Sequence, residues 1–259
     1  MEKTTRYIMK WMRKYLRKSG CDGFVVGVSG GIDSAVTSTL CGLTQKPTLA
    51  LGMPIHSDRK SMVYSAGHLR RLELDFPEVR SNMIELSDAF DSFKDAMGED
   101  PDDFALANAR ARLRMTTLYY HAQKNNYLVV GTGNKVEDFG VGFFTKYGDG
   151  GVDISPIAVL LKSEVYALGE FFNIDARIME AEPTDGLHND GRTDEMQMGT
   201  SYELLEYAMK WNGDPRGMTK EQADAVEIYN KLNAKNQHKM NPIPVCEIPL
   251  DVKEKDGYG

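Results

Sequence analysis

The chain has 259 residues, of which 41% are hydrophobic and 27% charged, and its formal net charge is −7. This is ordinary globular composition, which excludes a disordered or fibrous chain, and the acidic balance argues against a broad nucleic-acid surface. No apolar run approaches the length of a membrane span and no signal peptide is recognisable, so we expect no membrane contact. Cys21, Cys41 and Cys246 lack CxxC spacing, which fits a reducing cytoplasm. We expect one domain over residues 1–259.

The first predicted element is a basic amphipathic helix over residues 3–18. Five residues are available to one broad face that we expect to cover a sheet, namely Tyr7, Ile8, Trp11, Tyr15 and Leu16. Strands are then predicted at 24–28, 48–53, 79–86 and 127–130, and helices at 32–44, 57–73, 87–97 and 101–125. The alternation of strands and helices predicts an α/β fold in which a doubly wound parallel sheet is flanked by helices.

The second half of the chain is less regular. Residues 139–151 are too glycine-rich for a regular element and too aromatic for an inert linker, so a binding loop is predicted. Residues 181–193 fit either a mobile lid or an ordinary polar connector. Helices are predicted at 162–172, 193–211 and 219–236, and the charged tail at 252–259 is expected to fray.

A small-residue turn follows the first predicted strand. At Gly30 and Gly31 the backbone can adopt positive φ angles and converge several N–H groups on an anion, which the dipole of the next helix attracts. Ser29 and Ser34 add hydroxyl donors. Because a carboxylate beside a phosphate is repulsive without an intervening cation, Asp33 implies Mg²⁺. The turn is therefore predicted to bind phosphates, and it lacks the GxxxxGK[ST] spacing of a Walker loop.

Other residues could complete such a site. Glu137, shortly after the strand at 127–130, is a candidate second carboxylate for the metal. On the helix at 101–125, Arg110 and Arg114 share a face while Arg112 points nearly opposite. These arginines are either a solvated charge ladder or contacts for an anionic ligand or a subunit partner.

The sequence Ser-Gly-Gly-Ile-Asp-Ser at 29–34 resembles the pyrophosphate loop of the N-type ATP pyrophosphatases. Further segments, in order over nearly the whole chain, are similar to the NAD synthetase family. They are Asn-Ala-Arg-Ala-Arg at 108–112, Gly131-Thr132 with Glu137, Gly-Phe-Phe-Thr-Lys-Tyr-Gly-Asp-Gly-Gly at 142–151, Asp153, Lys162, Glu-Pro-Thr at 182–184 and His238-Lys239. The resemblance implies an adenine nucleotide alpha hydrolase-like fold.

The resemblance also implies a reaction. The family amidates deamido-NAD (nicotinic acid adenine dinucleotide) with ammonia and ATP, giving NAD, AMP and pyrophosphate through an adenylated carboxylate. Mg²⁺ and a homodimer with the active site near its interface are implied as well. Because the synthetase region occupies the whole chain and leaves no room for a glutaminase domain, we expect free ammonia to be the nitrogen source.

The resemblance assigns roles residue by residue. The catalytic residues implied are Asp33, Lys162, Asp149 and Thr184. The residues implied for ATP and pyrophosphate are Gly27, Ser29, Gly30, Gly31, Asp33, Ser34, Thr132, Lys162 and Thr184. Those implied for deamido-NAD are Arg112, Lys146, Asp149, Asp153, His238 and Lys239, and those for the metal are Asp33 and Glu137.

Two features leave room for alternatives. Phe143 and Phe144 could stack on a ligand ring or anchor their loop in the core. The stretch from Glu137 to Gly142 is one residue longer than in the commoner form of the family, so altered geometry is expected around Asp138 to Val141. The rival functions are a tRNA-modifying ATP pyrophosphatase, which the acidic charge and missing CxxC disfavour, and a non-catalytic nucleotide sensor, which would not release pyrophosphate.

Overall fold

The structure is a computed structural model that describes residues 1–98, 102–187 and 192–255. Four parallel strands form the sheet, in the order β3-β2-β1-β4. They are β1 at Gly23–Gly27, β2 at Thr48–Gly52, β3 at Val79–Met83 and β4 at Tyr127–Val130. The chain moves outward from β1 to β3 and returns to β4 on the other side of β1. A ligand crevice is therefore expected where the carboxyl ends of β1 and β4 diverge.

Helices cover both faces of this sheet. The helices are α1 at Glu2–Ser19, α2 at Ile32–Leu43, α3 at Arg59–Asp75, α4 at Ser87–Ala96, α5 at Asp103–Asn125, α6 at Lys162–Phe171, α7 at Ala176–Met179, α8 at Asp194–Met198, α9 at Tyr202–Lys210, α10 at Lys220–Met240 and α11 at Leu250–Lys255. A π-helix spans Lys135–Val141. No helix in the described ranges is long and apolar enough to cross a membrane.

Strand β1 shows why the sheet needs two layers of helices. Phe24 and Val26 join a core cluster that includes residues of α1, α2, α3 and α6. Val25 points to the opposite face and joins a second cluster that includes Phe90 of α4 and Leu106 of α5. Because successive strand side chains alternate between faces, a strand that is buried on both sides reads as a continuous apolar run. The predicted doubly wound parallel sheet is confirmed.

The face predicted for α1 is wrong for its aromatic residues. The buried residues of this helix are Thr5, Ile8, Met12 and Leu16, whereas Tyr7 is 74% exposed, Trp11 37% and Tyr15 38%. Each of these aromatic residues precedes a buried one by a single position, which rotates it about 100° around the helix. The sequence offered two overlapping apolar faces, and the narrower aliphatic one covers the sheet.

Three further predictions need correction. Residues 139–141 belong to the π-helix instead of an irregular loop. The helix predicted at 193–211 is two helices, because Gly199 ends α8 in a left-handed conformation with φ 82°. In the tail, residues 252–255 are helical, while 256–259 lie outside the described residues. The predicted helix start at Pro101 and the centre of the predicted lid, 188–191, also lie outside the described residues.

Candidate active site

The turn after β1 is held by its own side chains. The backbone N–H of Ser29 donates to Ser34 Oγ over 3.2 Å, and Ser34 Oγ donates to the carbonyl of Gly31 over 2.9 Å. The N–H of Gly31 donates to Ser29 Oγ over 3.2 Å. Helix α2 begins after Gly31 without a side-chain cap. The N–H groups of its first turn therefore remain for a ligand, and an anion is the ligand that a helix N-terminus attracts.

A buried lysine joins the turn to two other elements. Lys162, the first residue of α6, is 2% exposed. Its Nζ donates to Asp33 Oδ2 over 2.6 Å and to Glu137 Oε1 over 3.0 Å. Asp33 lies on α2 and Glu137 on the π-helix. The two carboxylates predicted as metal ligands thus converge on one ammonium group at the crevice between β1 and β4.

Asn134 fixes the geometry of both carboxylates. Its Nδ2 donates to Asp33 Oδ1 over 3.0 Å. Its Oδ1 accepts from the N–H groups of Val136 and Glu137, over 3.0 Å and 3.2 Å. Asn134 is fully buried and caps the N-terminus of the π-helix. One amide therefore ties the end of β4 to α2 and orients the helix that presents Glu137.

Lys162, Asp33 and Glu137 form a charged centre, in which burial and charge have opposite effects on the pKa values. Burial alone would lower the pKa of Lys162, but Asp33 and Glu137 outweigh it and the pKa is raised, so the ammonium persists. Burial raises the pKa of Asp33, opposed by Lys162. For Glu137 the desolvation is outweighed by Lys162 and by a hydrogen bond from Tyr202, and its pKa is lowered. The lowered pKa of Glu137 favours its ionised form.

A second polar cluster lies where the end of α10 meets the glycine-rich loop. The guanidinium of Arg112 donates to the carbonyl of Lys146 over 3.3 Å and 3.4 Å. Lys146 Nζ donates to the carbonyl of His238. Lys239 Nζ donates to the carbonyl of Phe144 over 2.8 Å and lies 5.1 Å from the centre of its ring. The four basic residues predicted for deamido-NAD are brought together.

Asp149 belongs to the same loop. Its Oδ1 accepts from the N–H of Thr145 over 2.9 Å, and Thr145 in turn donates to Asn108 Oδ1 over 2.8 Å. Asp149 is exposed at the surface, but the protein atoms near its carboxyl still desolvate it, and this raises the pKa of Asp149 to about 6. The carboxyl can therefore exchange a proton near neutral pH.

Two predicted site residues make their contacts elsewhere. Thr184 Oγ1 accepts from the N–H of Gly186 over 3.3 Å and donates to the carbonyl of Arg192 over 3.4 Å, so its described hydrogen bonds stay in its own segment. Asp153 accepts from the hydroxyl of Tyr119 over 3.0 Å and from the N–H of Val129 over 2.8 Å. These bonds anchor Asp153 to β4 and α5, and the ligand roles of both residues stay predictions.

The remaining residues of the predicted phosphate site flank the strand ends. Gly27 is the last residue of β1, and Thr132 follows β4 by two residues. A Cβ atom on Gly27 would lie 3.3 Å from Met53 Cε, which leaves little room for a side chain. On α5, Arg110 and Arg114 donate to the carbonyls of Leu187 and Met53, over 2.8 Å and 3.0 Å. These two arginines therefore brace surrounding segments, whereas Arg112 faces the glycine-rich loop.

A model of the NAD synthase family matches residues 4–243 of the chain. The chain belongs to this family. It is 37% identical over 256 residues to the NH(3)-dependent NAD(+) synthetase of Carboxydothermus hydrogenoformans, covering 96% of this chain and 98% of that protein. It is 39% identical over 241 residues to the protein of the same name from Mycoplasma genitalium, covering 92% and 93% of the two chains. The predicted family is confirmed, and the family uses ATP as a co-substrate.

Solved structures agree with this assignment. The NMN synthetase from Francisella tularensis superimposes with a TM-score of 0.85 at 30% identity, covering 95% of this chain and 98% of that one. The NH3-dependent NAD synthetase from Campylobacter jejuni superimposes with a TM-score of 0.78 at 28% identity, covering 95% and 99%. The fold is therefore that of the NAD synthetases, as the resemblance implied.

One extra residue is predicted before Gly142 relative to the commoner family form, and the residues concerned, 138–141, lie in the π-helix. A π-turn is wider than an α-turn, so it accommodates one more residue without moving the ends of the helix far apart. Helix α10 holds this turn, because Asn233 Nδ2 donates to the carbonyl of Gly140 over 2.7 Å and Asn236 Nδ2 donates to that of Val141 over 2.8 Å. This π-helix presents Glu137 to Lys162, and the difference from the commoner family form stays a prediction.

Sequence reasoning missed three polar residues of the charged centre: Asn134, Tyr202 and Asp194. Asn134 stands four residues after β4 and immediately before a helix, which is an N-cap signal that could have identified it. Tyr202 donates to Glu137 Oε1 over 2.5 Å, and its ring centre lies 4.6 Å from Lys162 Nζ. No local signal marks that contact, because 65 residues separate the partners.

We expect Gly30→Ala to disrupt the turn after β1, which is predicted to bind phosphates. Gly31→Ala should leave this turn intact. Gly30 has φ 98°, and a Cβ there would lie 2.7 Å from the carbonyl oxygen of Ser61. Gly31 has φ −90°, and its Cβ would meet only Ser29 Oγ, at 3.5 Å. Strain of this kind costs about 1–3 kcal/mol. Thermal unfolding and ATP binding by calorimetry test this, and equal losses in the two variants would contradict it.

Proposed function

We propose that this chain is an ammonia-dependent NAD synthetase that amidates deamido-NAD, consuming ATP and releasing AMP and pyrophosphate. The observation that carries the proposal is the meeting of the uncapped α2 turn with Lys162, Asp33 and Glu137 at the crevice between β1 and β4. A site of this kind suits a polyphosphate whose departure must be stabilised. The family match and the names of the relatives support the same reaction.

The residues divide the work as follows. The phosphate-binding residues proposed are Gly27, Ser29, Gly30, Gly31, Ser34, Thr132 and Thr184. Lys162 places a permanent positive charge where the bond between the α and β phosphates breaks, which favours departure of pyrophosphate. Activation as a mixed anhydride with AMP, formed as pyrophosphate leaves, turns a poor acyl donor into one with a good leaving group. Asp149, whose pKa of about 6 lets it exchange protons, lies in the loop where the nicotinate end and ammonia are proposed to meet.

Asp33 and Glu137 are the proposed Mg²⁺ ligands. Across the described residues, no group of three or more His, Cys, Asp or Glu side chains is placed to hold a metal. A pair of carboxylates fits Mg²⁺ nevertheless, because this ion keeps waters and takes one or two carboxylates together with substrate phosphates. When bound, Mg²⁺ would neutralise charge on the ATP phosphates. Lys162 Nζ bridges the same two carboxylates. The lysine and the ion must therefore share these two ligands.

The basic cluster of Arg112, Lys146, His238 and Lys239 is the proposed binding region for deamido-NAD, together with Asp153. Its positive groups suit the phosphates of a dinucleotide. We further propose one catalytic domain, a cytoplasmic location and a homodimer with the site near its interface. Tyr119 and Tyr120 of α5 are the candidates for the subunit contact, and Tyr120 is 61% exposed. A fully active monomer in light scattering would refute the dimer.

Lys239→Met is expected to raise the KM for deamido-NAD about 10-fold with a smaller change in kcat, because a charge contact to a bound phosphate is worth about 1.5–3 kcal/mol. Lys235→Met is the matched control, since Lys235 is exposed on the same helix. Steady-state kinetics with each substrate varied in turn measure the effect. A rise in the KM for ATP alone would place Lys239 at the other substrate.

Pyrophosphate release with alternative acceptors tests the function. Deamido-NAD, nicotinic acid mononucleotide and xanthosine monophosphate are supplied separately with ATP, Mg²⁺ and ammonium. Of the three acceptors, we expect only deamido-NAD to support rapid release of pyrophosphate. A second candidate, amidation of nicotinic acid mononucleotide, is favoured by the 0.85 TM-score with the structure named as an NMN synthetase. Preference for the mononucleotide would establish that alternative, and ATP binding without release with any acceptor would indicate a sensor.

The nitrogen source is tested separately. We propose that free ammonia is used directly, so replacing the ammonium salt by glutamine in the assay should leave little amide product. Equal turnover with the two nitrogen sources would overturn this part of the proposal.

A further inference from the structure

The hydroxyl of Tyr202 has two acceptors and one hydrogen. It lies 2.5 Å from Glu137 Oε1 and 3.2 Å from Asp194 Oδ2. A phenol donates one hydrogen bond and accepts others. Glu137 Oε1 makes the shorter of the two contacts, so it takes the hydrogen of Tyr202. The contact with Asp194 is then a hydrogen bond only if Asp194 carries a proton and donates it to the phenol oxygen.

The surroundings of Asp194 favour a neutral acid. The residue is 6% exposed, and its Oδ1 has no hydrogen-bond partner within the described part of the chain. The charged and titratable groups that act on it are Glu137, Lys162, Asp185 and Tyr202. Burial and the charge of Glu137 raise the pKa of Asp194 to about 7. Leaving an ionised oxygen buried without a partner is costly, and protonation removes that cost.

Asp194 also connects two parts of the proposed site. Its backbone N–H donates to the carbonyl of Pro183 over 3.0 Å. Three residues further along α8, Gln197 Nε2 donates to Asp185 Oδ2 over 3.0 Å. These two bonds hold the segment that contains Thr184. The backbone of Asp194 therefore contacts the segment that contains Thr184, while its side chain reaches the charged centre through Tyr202.

We propose that Asp194 is a positioning residue, a protonated carboxylic acid that donates to Tyr202 and so holds Glu137 against Lys162 while its backbone anchors the Thr184 segment. The inference deepens the proposed function, since Glu137 is the residue that it positions. Its protonation can be measured without any turnover, so a failure of this inference is distinguishable from a failure of the proposed reaction.

The first experiment observes the proton directly. Infrared difference spectra between the wild-type chain and Asp194→Asn are recorded at pH 5.5 and pH 9. We expect a carboxylic acid C=O band, assigned to the wild type, that is present at pH 5.5 and lost at pH 9. Carboxylate bands alone at both pH values would overturn the inference, because they would show that Asp194 is ionised throughout.

Thermal unfolding checks the same proton. A folded-state pKa of about 7, above the usual value of 3.8, means that the group favours folding at acidic pH and that this contribution is lost as pH rises through 7. Asp194→Asn cannot ionise. Its Tm should therefore rise by several degrees relative to the wild type between pH 5 and pH 8. A Tm difference that is constant over this range would contradict the inference.

Kinetics then separate positioning from packing. Tyr202→Phe keeps the ring in its core cluster and removes only the hydroxyl, and we expect kcat to fall about 10- to 100-fold with little change in Tm. Tyr207→Phe, on the same helix, is the matched control. Asp194→Ala should lose about tenfold more kcat than Asp194→Asn, whose amide can still donate. Equal losses in these two variants, or an unchanged kcat in Tyr202→Phe, would overturn the proposal.

Discussion

Lys162→Met is expected to abolish amidation and to destabilise the fold at the same time. Methionine keeps the length of the side chain but removes the ammonium that lies 2.6 Å from Asp33 and 3.0 Å from Glu137. The two carboxylates then lose the positive charge between them and keep only neutral donors, Asn134 and Tyr202. Breaking a buried ion pair from one side costs about 3–5 kcal/mol, and loss of a charge that stabilises the leaving group lowers kcat by at least about 10²-fold.

Denaturant unfolding and pyrophosphate release measure the two effects. The matched control is Lys135→Met, because Lys135 is exposed near the site and its backbone stays in the π-helix. An Lys162→Met variant that unfolds like the wild type would contradict the charge pairing described for Asp33 and Glu137.

The destabilisation of Lys162→Met should depend on pH. Without the ammonium, the pKa values of Asp33 and Glu137 rise above those of the unfolded chain. Groups with raised folded-state pKa values favour folding at low pH and oppose it as pH rises through those values. The difference in unfolding free energy between variant and wild type should therefore be smallest near pH 4 and largest at neutral pH. A difference that grows on acidification would exclude this explanation.

The fold could be predicted because each strand is a short apolar run buried on both faces. Residues 127–130 were placed without error, and the other strands were within three residues of their observed ends. The predictions were wrong where the local sequence is compatible with two different structures. In α1, aliphatic and aromatic stripes lie side by side, and only packing against the sheet decides between them. At Lys135–Val141 a glycine-containing segment becomes helical because α10 supplies hydrogen bonds that no local pattern reveals.

The site could be predicted in part for a topological reason. Residues that follow β1 and β4 must meet, since adjacent parallel strands bring their carboxyl ends to the same edge, and Asp33 and Glu137 do so. The resemblance named Lys162 as a site residue, but the sequence could not show that it lies between these two carboxylates. Lys162 reaches the centre from a helix 129 residues away from Asp33 in the chain. The contacts of Tyr202 likewise depend on how α8 and α9 break at Gly199.

Asp33→Asn is expected to lose activity with a smaller loss of stability than Lys162→Met. The substitution keeps the size of the side chain and removes one negative charge, while Glu137 remains as a partner for Lys162. Both carboxylate oxygens of Asp33 accept hydrogen bonds, from Lys162 and from Asn134, so the NH2 group of asparagine must face one of these donors. Because Lys162 keeps Glu137 as a partner, we expect a smaller loss of stability than in Lys162→Met. The rate of pyrophosphate release should fall about 10²- to 10³-fold. Asp224→Asn, at an exposed position of α10, is the matched control.

Titration with Mg²⁺ separates the two possible roles of Asp33. If Asp33 is a ligand of the ion, the Mg²⁺ concentration for half-maximal rate should rise in Asp33→Asn and remain unchanged in Asp224→Asn. Lys162→Met and Asp33→Asn remove opposite charges from one centre, so both should lose activity while the lysine variant loses more stability. A loss of stability in Asp33→Asn as large as that in Lys162→Met would mean that Asp33 serves the fold as the partner of Lys162. A residue that serves only to bind the metal should be dispensable for folding.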